Sequence, residues 1–104
     1  MANLFAGVNG PTRNEVIETL LEAPQVRLER IVSTGQATPE GQWYDQERNE
    51  WVAVLSGSAG LLFEGEEEVR VMHPGDHVLI PAHRRHRVAW TAPHQQTVWL
   101  AIHF

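Results

Sequence analysis

The chain has 104 residues, a mass of 11.8 kDa, 42% hydrophobic residues and 20% charged residues, so it has room for one globular domain. Its formal charge of −5 at pH 7 excludes the basic surface on which binding to nucleic acid or an anionic membrane depends. The absence of cysteine excludes disulfides and thiolate chemistry, and the absence of lysine excludes Schiff bases. With no signal peptide and no long apolar run, we expect a soluble cytoplasmic protein without nucleic-acid or membrane partners.

The first helical signal is also the only one, and it lies within residues 1–25. Thr12 and Glu15 have the spacing of a capping box. An apolar pattern of helical period follows and stops before Pro24. The sequence therefore predicts one short N-terminal helix, which packs on the remainder of the chain.

From Val26 onward the apolar residues alternate with the period of two that is typical of β-strands. Clusters of Gly, Pro, Ser and Asp interrupt this pattern about every ten residues, as in sandwiches and barrels. After the strand that begins at Val26, the predicted extended stretches are 43–55, 59–63, 69–71, 77–80, 86–90 and 97–104. Residues 26–104 are therefore predicted to form one all-β domain.

One segment of this domain carries a recognisable motif. Gly75 is followed by five residues and Pro81, and four residues separate Pro81 from His86. This pattern resembles the second motif of the cupin family, in which a glycine usually stands where this chain has His83.

The first cupin motif ends in a glutamate, six residues and a glycine, and Glu50 and Gly57 match this end. The resemblance covers residues 35–104. It implies a cupin-type jelly-roll barrel (a double-stranded β-helix), often a homodimer, with one divalent metal ion inside near the mouth. In the family, two histidines and the glutamate of the first motif and one histidine of the second hold the metal.

This chain departs from the family at the two histidines that precede the glutamate. With three intervening residues the pair maps to Tyr44 and Gln46, and with four it maps to Trp43 and Asp45. Side chains alternate along a strand, so Tyr44 and Gln46 share a face with Glu50, which favours the first alignment.

Gln46, Glu50 and His86 are therefore the first candidates for metal ligands, and Asp45 or His83 is the alternative to Gln46. Two oxygen donors and one imidazole suit Mn, Fe, Ni or Zn, without deciding between them. Because an amide oxygen is a weaker ligand than imidazole, we expect a lower affinity than a three-histidine site gives. The candidate pocket residues around the site are aromatic or histidine: Tyr44, Trp43, Trp90 and His103.

The resemblance implies a dioxygenase, isomerase or decarboxylase that acts on a small polar organic acid or carbonyl compound, with Glu50 and His86 as catalytic residues. The alternative is a cupin that binds or senses a small ligand without reaction at a degenerate metal site. A purely structural dimer is a third interpretation. In it, Arg30 or Arg87 pairs with Glu50, and His86 forms a hydrogen bond to Tyr44.

Overall fold

The computed structural model describes residues 1–8 and 10–104, which form two antiparallel sheets and contain no helix. One sheet has the strand order β1-β2-β8-β3-β6 and the other has the order β5-β4-β7. The strands are β1 (Val16–Ala23), β2 (Val26–Ser33), β3 (Glu50–Ser56), β4 (Ala59–Phe63), β5 (Arg70–Met72), β6 (His77–Ile80), β7 (His86–Thr91) and β8 (Thr97–His103). The all-β prediction is confirmed. No helix of the described residues could cross a membrane.

The predicted N-terminal helix is wrong, because its residues form strand β1. This strand pairs with β2 from Val16 opposite Val32 to Ala23 opposite Val26. Capping and apolar period are local signals, whereas β2 supplies a ladder of backbone hydrogen bonds across the tight turn that joins the two strands. The capping box does not form, and the carboxylate of Glu15 instead lies 3.4 Å from the hydroxyl of a β2 residue, Ser33.

The turns of the two motifs explain their glycines. Gly57, between β3 and β4, has a φ of 83°, and Gly75, before β6, has a φ of 93°. These are left-handed conformations that a glycine adopts without the steric cost of a Cβ atom. His83 has a φ of 63°, so it occupies the same kind of backbone conformation in which other cupins place a glycine.

The main core lies between the two sheets. It is built from inward side chains of β3, β4 and β8 with single residues from β5 and β6, namely Val52, Val54, Ala59, Leu61, Phe63, Met72, Ile80, Trp99 and Ala101. The indole Nε1 of Trp99 donates a hydrogen bond to the Ser33 hydroxyl at 3.1 Å. This bond joins β8 to β2 beside the candidate site.

Candidate functional site

A cavity of about 120 Å³ lies between the sheets. It is lined by Tyr44 and Gln46, which the favoured alignment selects, and by Glu50 and His86 of the two motifs. Part of its wall is apolar and comes from Ile17, Ile31, Val52, Leu61, Ile80, Val88 and Trp99. The remaining lining side chains are polar or titratable and consist of Glu15, Glu29, Tyr44, Gln46, Glu50, His86 and His103. The polar groups come from widely separated segments of the chain.

Strand register explains how these groups come together. His103 of β8 lies opposite Arg27 of β2 on one side and opposite Glu50 of β3 on the other. Glu29 is two residues from Arg27 and therefore faces the same side of the sheet. The five-stranded sheet thus presents a row of titratable groups to the cavity.

Glu50 and His86 form the first buried pair. The Nε2 atom of His86 lies 3.8 Å from Oε1 of Glu50. The Nδ1 atom of His86 lies 2.8 Å from the backbone carbonyl of Arg84, which can only accept, so Nδ1 carries the proton and donates. In the neutral imidazole the lone pair is then on Nε2, on the side of Glu50.

The charge of Glu50 is controlled by its surroundings. Burial raises the pKa of Glu50 above its ordinary value of 4.5, and the negative charge of Glu29 adds to this rise. The charges of His103 and His86 and a hydrogen bond from Gln46 oppose the rise without cancelling it. Glu50 therefore retains a proton at pH values at which an exposed glutamate has lost it.

Gln46 places an unpartnered acceptor beside this pair. Its side chain forms a hydrogen bond with Glu50, which occupies one end of the amide. Its Oε1 atom is buried and has no hydrogen-bond partner among the described residues. Burying an amide oxygen without a hydrogen-bond partner costs free energy. This position therefore suits a ligand, such as a metal ion, that binds directly to the oxygen.

Glu29 and His103 form a second buried pair. His103 Nε2 lies 2.7 Å from Glu29 Oε1, and the other carboxylate oxygen of Glu29 lies 3.2 Å from Arg27 Nε. Both residues of the pair are more than nine-tenths buried. One carboxylate oxygen of Glu29 thus contacts His103 of β8, and the other forms an ion pair with Arg27 of the same strand, β2.

Tyr44 and Glu15 lie at the outer side of the cavity, where it shares both residues with a groove on the surface. The Tyr44 ring stacks on His86 with 5.7 Å between ring centroids. Burial raises the pKa of Tyr44, and the negative charges of Glu15 and Glu50 raise it further. The Tyr44 hydroxyl therefore stays protonated and can donate a hydrogen bond.

The structure places the alternative metal ligands elsewhere. The side chains of Asp45 and His83 are exposed and pair with each other, with 2.8 Å between Oδ1 and Nδ1. Neither lines the cavity, and the same is true of Trp43 and Trp90. Of the four predicted pocket residues, Tyr44 and His103 line it.

The two arginines that the sequence offered as partners of Glu50 have other contacts. Arg30 pairs with Glu18 at 2.6 Å, and Arg87 donates to the backbone carbonyl of Thr38 at 3.0 Å. Within the described residues, Glu50 therefore has no arginine partner, and its nearest charged neighbours are histidines and Glu29.

Two lining carboxylates, Glu15 and Glu29, were missed by the sequence-based interpretation. The sequence pattern places Glu15 in a helix cap and Glu29 in an alternating strand, and neither position by itself points to a cavity. The sequence does contain a signal for Glu29. It is two residues from the apolar Ile31, so both side chains lie on the same face of the strand, and both line the cavity. The partner that makes Glu29 notable, His103, lies 74 residues away in the chain.

A family model for the cupin domain matches residues 31–103. This chain belongs to the cupin family. It is 52% identical to a protein from Ralstonia eutropha JMP134 that is named a putative mannose-6-phosphate isomerase. The match covers 99% of this chain and 95% of that chain, with a TM-score of 0.96. None of the curated proteins compared with the chain matches it.

More distant solved structures share the fold. An RmlC-like cupin from Desulfovibrio desulfuricans is 21% identical, covers 99% of this chain and 94% of its own, and has a TM-score of 0.76. The polyketide cyclase RemF from Streptomyces resistomycificus is 22% identical, covers 92% of this chain and 69% of its own, and has a TM-score of 0.74. At these identities the similarity shows the fold alone.

Cupins commonly bind divalent metals, for which the cavity offers a limited set of donor atoms. The described residues contain no group of three His, Cys, Asp or Glu side chains that could hold a metal ion. Glu50, His86 and the unpartnered Oε1 of Gln46 nevertheless form a set of two oxygens and one imidazole. This set fits a divalent ion that is held more weakly than by three histidines.

Proposed function

We propose that this cupin is an isomerase-type enzyme that moves a proton within a small uncharged carbonyl compound. The observation that carries the proposal is the buried Glu50–His86 pair, in which burial raises the pKa of a carboxyl group beside an oriented imidazole. Titratable groups with shifted pKa values in a cavity are typical of acid–base sites. The isomerase in the name of the 52%-identical Ralstonia protein supports the same reaction type.

The charge and size of the cavity support an uncharged substrate over an organic acid. Three carboxyl groups line it, from Glu15, Glu29 and Glu50, and no arginine is among the lining residues. Beyond the proposed metal ion, an anionic group such as a phosphate would find no arginine in the lining to pair with, and it would face the carboxyl groups of Glu15 and Glu29. The volume of about 120 Å³ is also below the roughly 300–1,000 Å³ that is common for drug-sized ligands. We therefore do not extend the phosphate of the Ralstonia protein's name to this chain.

The proposal includes a divalent metal ion, Mn, Fe, Ni or Zn, held by Gln46, Glu50 and His86. A bound divalent ion supplies Lewis-acid polarisation of a carbonyl oxygen. The protein itself supplies the orientation of the donors. The carbonyl of Arg84 fixes the His86 ring, and the amide of Gln46 fixes Glu50.

Other residues orient the substrate and exclude water. The hydroxyl of Tyr44 can donate a hydrogen bond to a substrate oxygen at the outer side of the cavity. The apolar wall, which includes Val52, Leu61 and Trp99, excludes water from the remaining surface of the substrate. The site thus combines one polar end, at which a carbonyl is held, with an apolar wall.

The test uses dihydroxyacetone and glyceraldehyde as uncharged probes, followed by ¹H NMR, with elemental analysis of the same samples. We expect conversion by protein loaded with Mn, Fe, Ni or Zn, and loss of both conversion and bound metal in Glu50→Gln and His86→Gln. The exposed His94 gives the matched control His94→Gln, which should match the wild-type protein.

Three outcomes would contradict parts of the proposal. Faster conversion of dihydroxyacetone phosphate than of dihydroxyacetone would refute the uncharged substrate class. Conversion that survives complete removal of metal would refute the metal. Binding of the probes without conversion under any of these conditions would refute the enzyme and favour the non-catalytic ligand-binding cupin.

We also propose that this cupin is a homodimer that associates through β1. All eight residues of this edge strand are exposed, and they include Val16, Ile17, Leu20 and Leu21. An edge strand with unpaired backbone groups and apolar side chains is a template for pairing with a second strand. Pairing with a second copy would cover this surface.

A further inference from the structure

The buried pair of Glu29 and His103 has no part in holding the proposed metal ion. Its hydrogen bond is 2.7 Å long, and both residues lie in the cavity wall. Arg27 Nε lies 3.2 Å from the second oxygen of the Glu29 carboxylate, an ion-pair contact without a hydrogen bond, so both contacts favour one orientation of the carboxylate. Glu29 is therefore a fixed acceptor for the His103 ring.

Stability gives no reason for this pair. Burying a carboxylate beside an imidazole removes both from water, and an apolar pair of similar volume is commonly as stable or more stable. The neighbouring positions on the same strand faces, Ile31, Ala101 and Trp99, are filled by apolar residues. A polar pair in this row is thus better explained by a chemical role.

The two imidazoles of the cavity are oriented through opposite nitrogens. His86 donates from Nδ1 to a backbone carbonyl, which leaves Nε2 as its basic nitrogen. His103 donates from Nε2 to the Glu29 carboxylate, because an ionised carboxylate can only accept, and this leaves Nδ1 as its basic nitrogen. A carboxylate that orients a histidine also stabilises the imidazolium that forms when the ring takes a proton.

We propose that His103 is the catalytic residue that carries the substrate proton, and that Glu29 is the positioning residue that fixes its ring. This inference rests on the proposed isomerase function and adds a division of labour to it. Glu50 and His86 act at the carbonyl oxygen, whereas His103, opposite Glu50 on the next strand, acts at carbon.

The proposed step balances without an oxidant or a co-reactant. The C–H bond of the hydroxyl-bearing carbon breaks, and its proton forms an N–H bond at Nδ1 of His103. The electron pair forms the C=C bond of an enediolate as the carbonyl π pair moves to oxygen. The proton of the hydroxyl passes to the former carbonyl oxygen. His103 then returns its proton to the former carbonyl carbon.

The experiment follows dihydroxyacetone in D₂O by ¹H NMR, which reports solvent deuterium incorporated at carbon as well as conversion. We expect His103→Gln to lower incorporation on the order of 10²-fold or more, as loss of a general base does. Glu29→Gln should lower kcat with little change in KM. Glu67→Gln, at an exposed glutamate between β4 and β5, is the matched control and should match the wild-type protein.

A spectroscopic measurement separates positioning from folding. In ¹⁵N-labelled protein, the His103 ring should carry its proton on Nε2 in the wild type and show a mixture of tautomers in Glu29→Gln. Either a mixture already in the wild type or an unchanged tautomer in the variant would overturn the role of Glu29, even if His103→Gln does not fold.

The results for His103 and for the proposed function are distinguishable. Incorporation that is unchanged in folded His103→Gln but absent in Glu50→Gln would overturn the assignment of His103 and leave the isomerase intact. The absence of incorporation and conversion in the wild-type protein, with every metal tested, would overturn the isomerase and the role of His103 with it.

Discussion

The glycine of the first motif provides a quantitative test of how the barrel holds its site. Gly57 connects β3, which carries Glu50, to β4, and its φ is 83°. A Cβ atom at this position would lie 2.6 Å from the carbonyl oxygen of Gln96 and from the Cα of Thr97, and would also clash with the Thr97 hydroxyl. Gly57→Ala thus combines backbone strain with a collision against backbone atoms that cannot rotate away.

Gly75 is the matched control because it has strain without a collision. Its φ is 93°, and a Cβ atom there would meet nothing within 4 Å. A left-handed conformation costs alanine about 1–2 kcal/mol, and the reduced entropy of the unfolded chain offsets about 0.4–1 kcal/mol of that. We therefore expect Gly75→Ala to lower the free energy of unfolding by about 0–1.6 kcal/mol.

Gly57→Ala should cost more by the energy of overpacking, which is typically about 1–3 kcal/mol. The expected total is about 1–5 kcal/mol, against the roughly 5–15 kcal/mol by which small domains are stable. Equilibrium unfolding in urea, followed by the fluorescence of the four tryptophans, measures both variants. Equal losses in the two variants would refute the steric argument, and a larger loss in Gly75→Ala would reverse it.

Three further predictions concern Glu50, β1 and Trp99. Because burial raises the pKa of Glu50 above 4.5, the folded protein binds more protons than the unfolded chain just above that pH, so stability falls as the pH rises through this window. Glu50→Gln should flatten the pH dependence of the free energy of unfolding, and parallel curves would contradict this. Leu21→Glu on β1 should convert the proposed dimer to a monomer in sedimentation at micromolar concentration, whereas Leu79→Glu on the opposite edge strand should not; a monomeric wild type would refute the dimer. Trp99→Phe removes the hydrogen bond to Ser33 and should cost about 1–3 kcal/mol in urea unfolding, and no measurable loss would count against it.

The strands of residues 26–104 were predictable because their signals are local. The predicted stretches 59–63 and 77–80 coincide with β4 and β6, and the stretches 86–90 and 97–104 differ from β7 and β8 by one residue. Of the predicted stretch 43–55, only residues 50–55 lie in a strand, and Tyr44 forms an isolated bridge to His86. Alternation and turn residues act within a few positions, so they are readable without knowledge of the partner strand. The N-terminal segment failed the same approach because its local signals favoured a helix, whereas its pairing with β2 decided the strand.

The candidate site divides in the same way. The motif spacing by itself selected Glu50 and His86, and the alternation expected for a strand over residues 43–55 pointed to Gln46, which lines the cavity from the segment before β3. Only the tertiary structure decided that Asp45 and His83 pair with each other outside the cavity, and that Glu15 and Glu29 line it. The physical reason is that a strand sequence determines which side chains share a face, whereas the register between strands decides which faces and which residues meet. Glu29 and His103 lie on neighbouring strands near the two ends of the sequence of the β domain. They are 74 residues apart in the chain, yet Glu29 Oε1 and His103 Nε2 are 2.7 Å apart in the barrel.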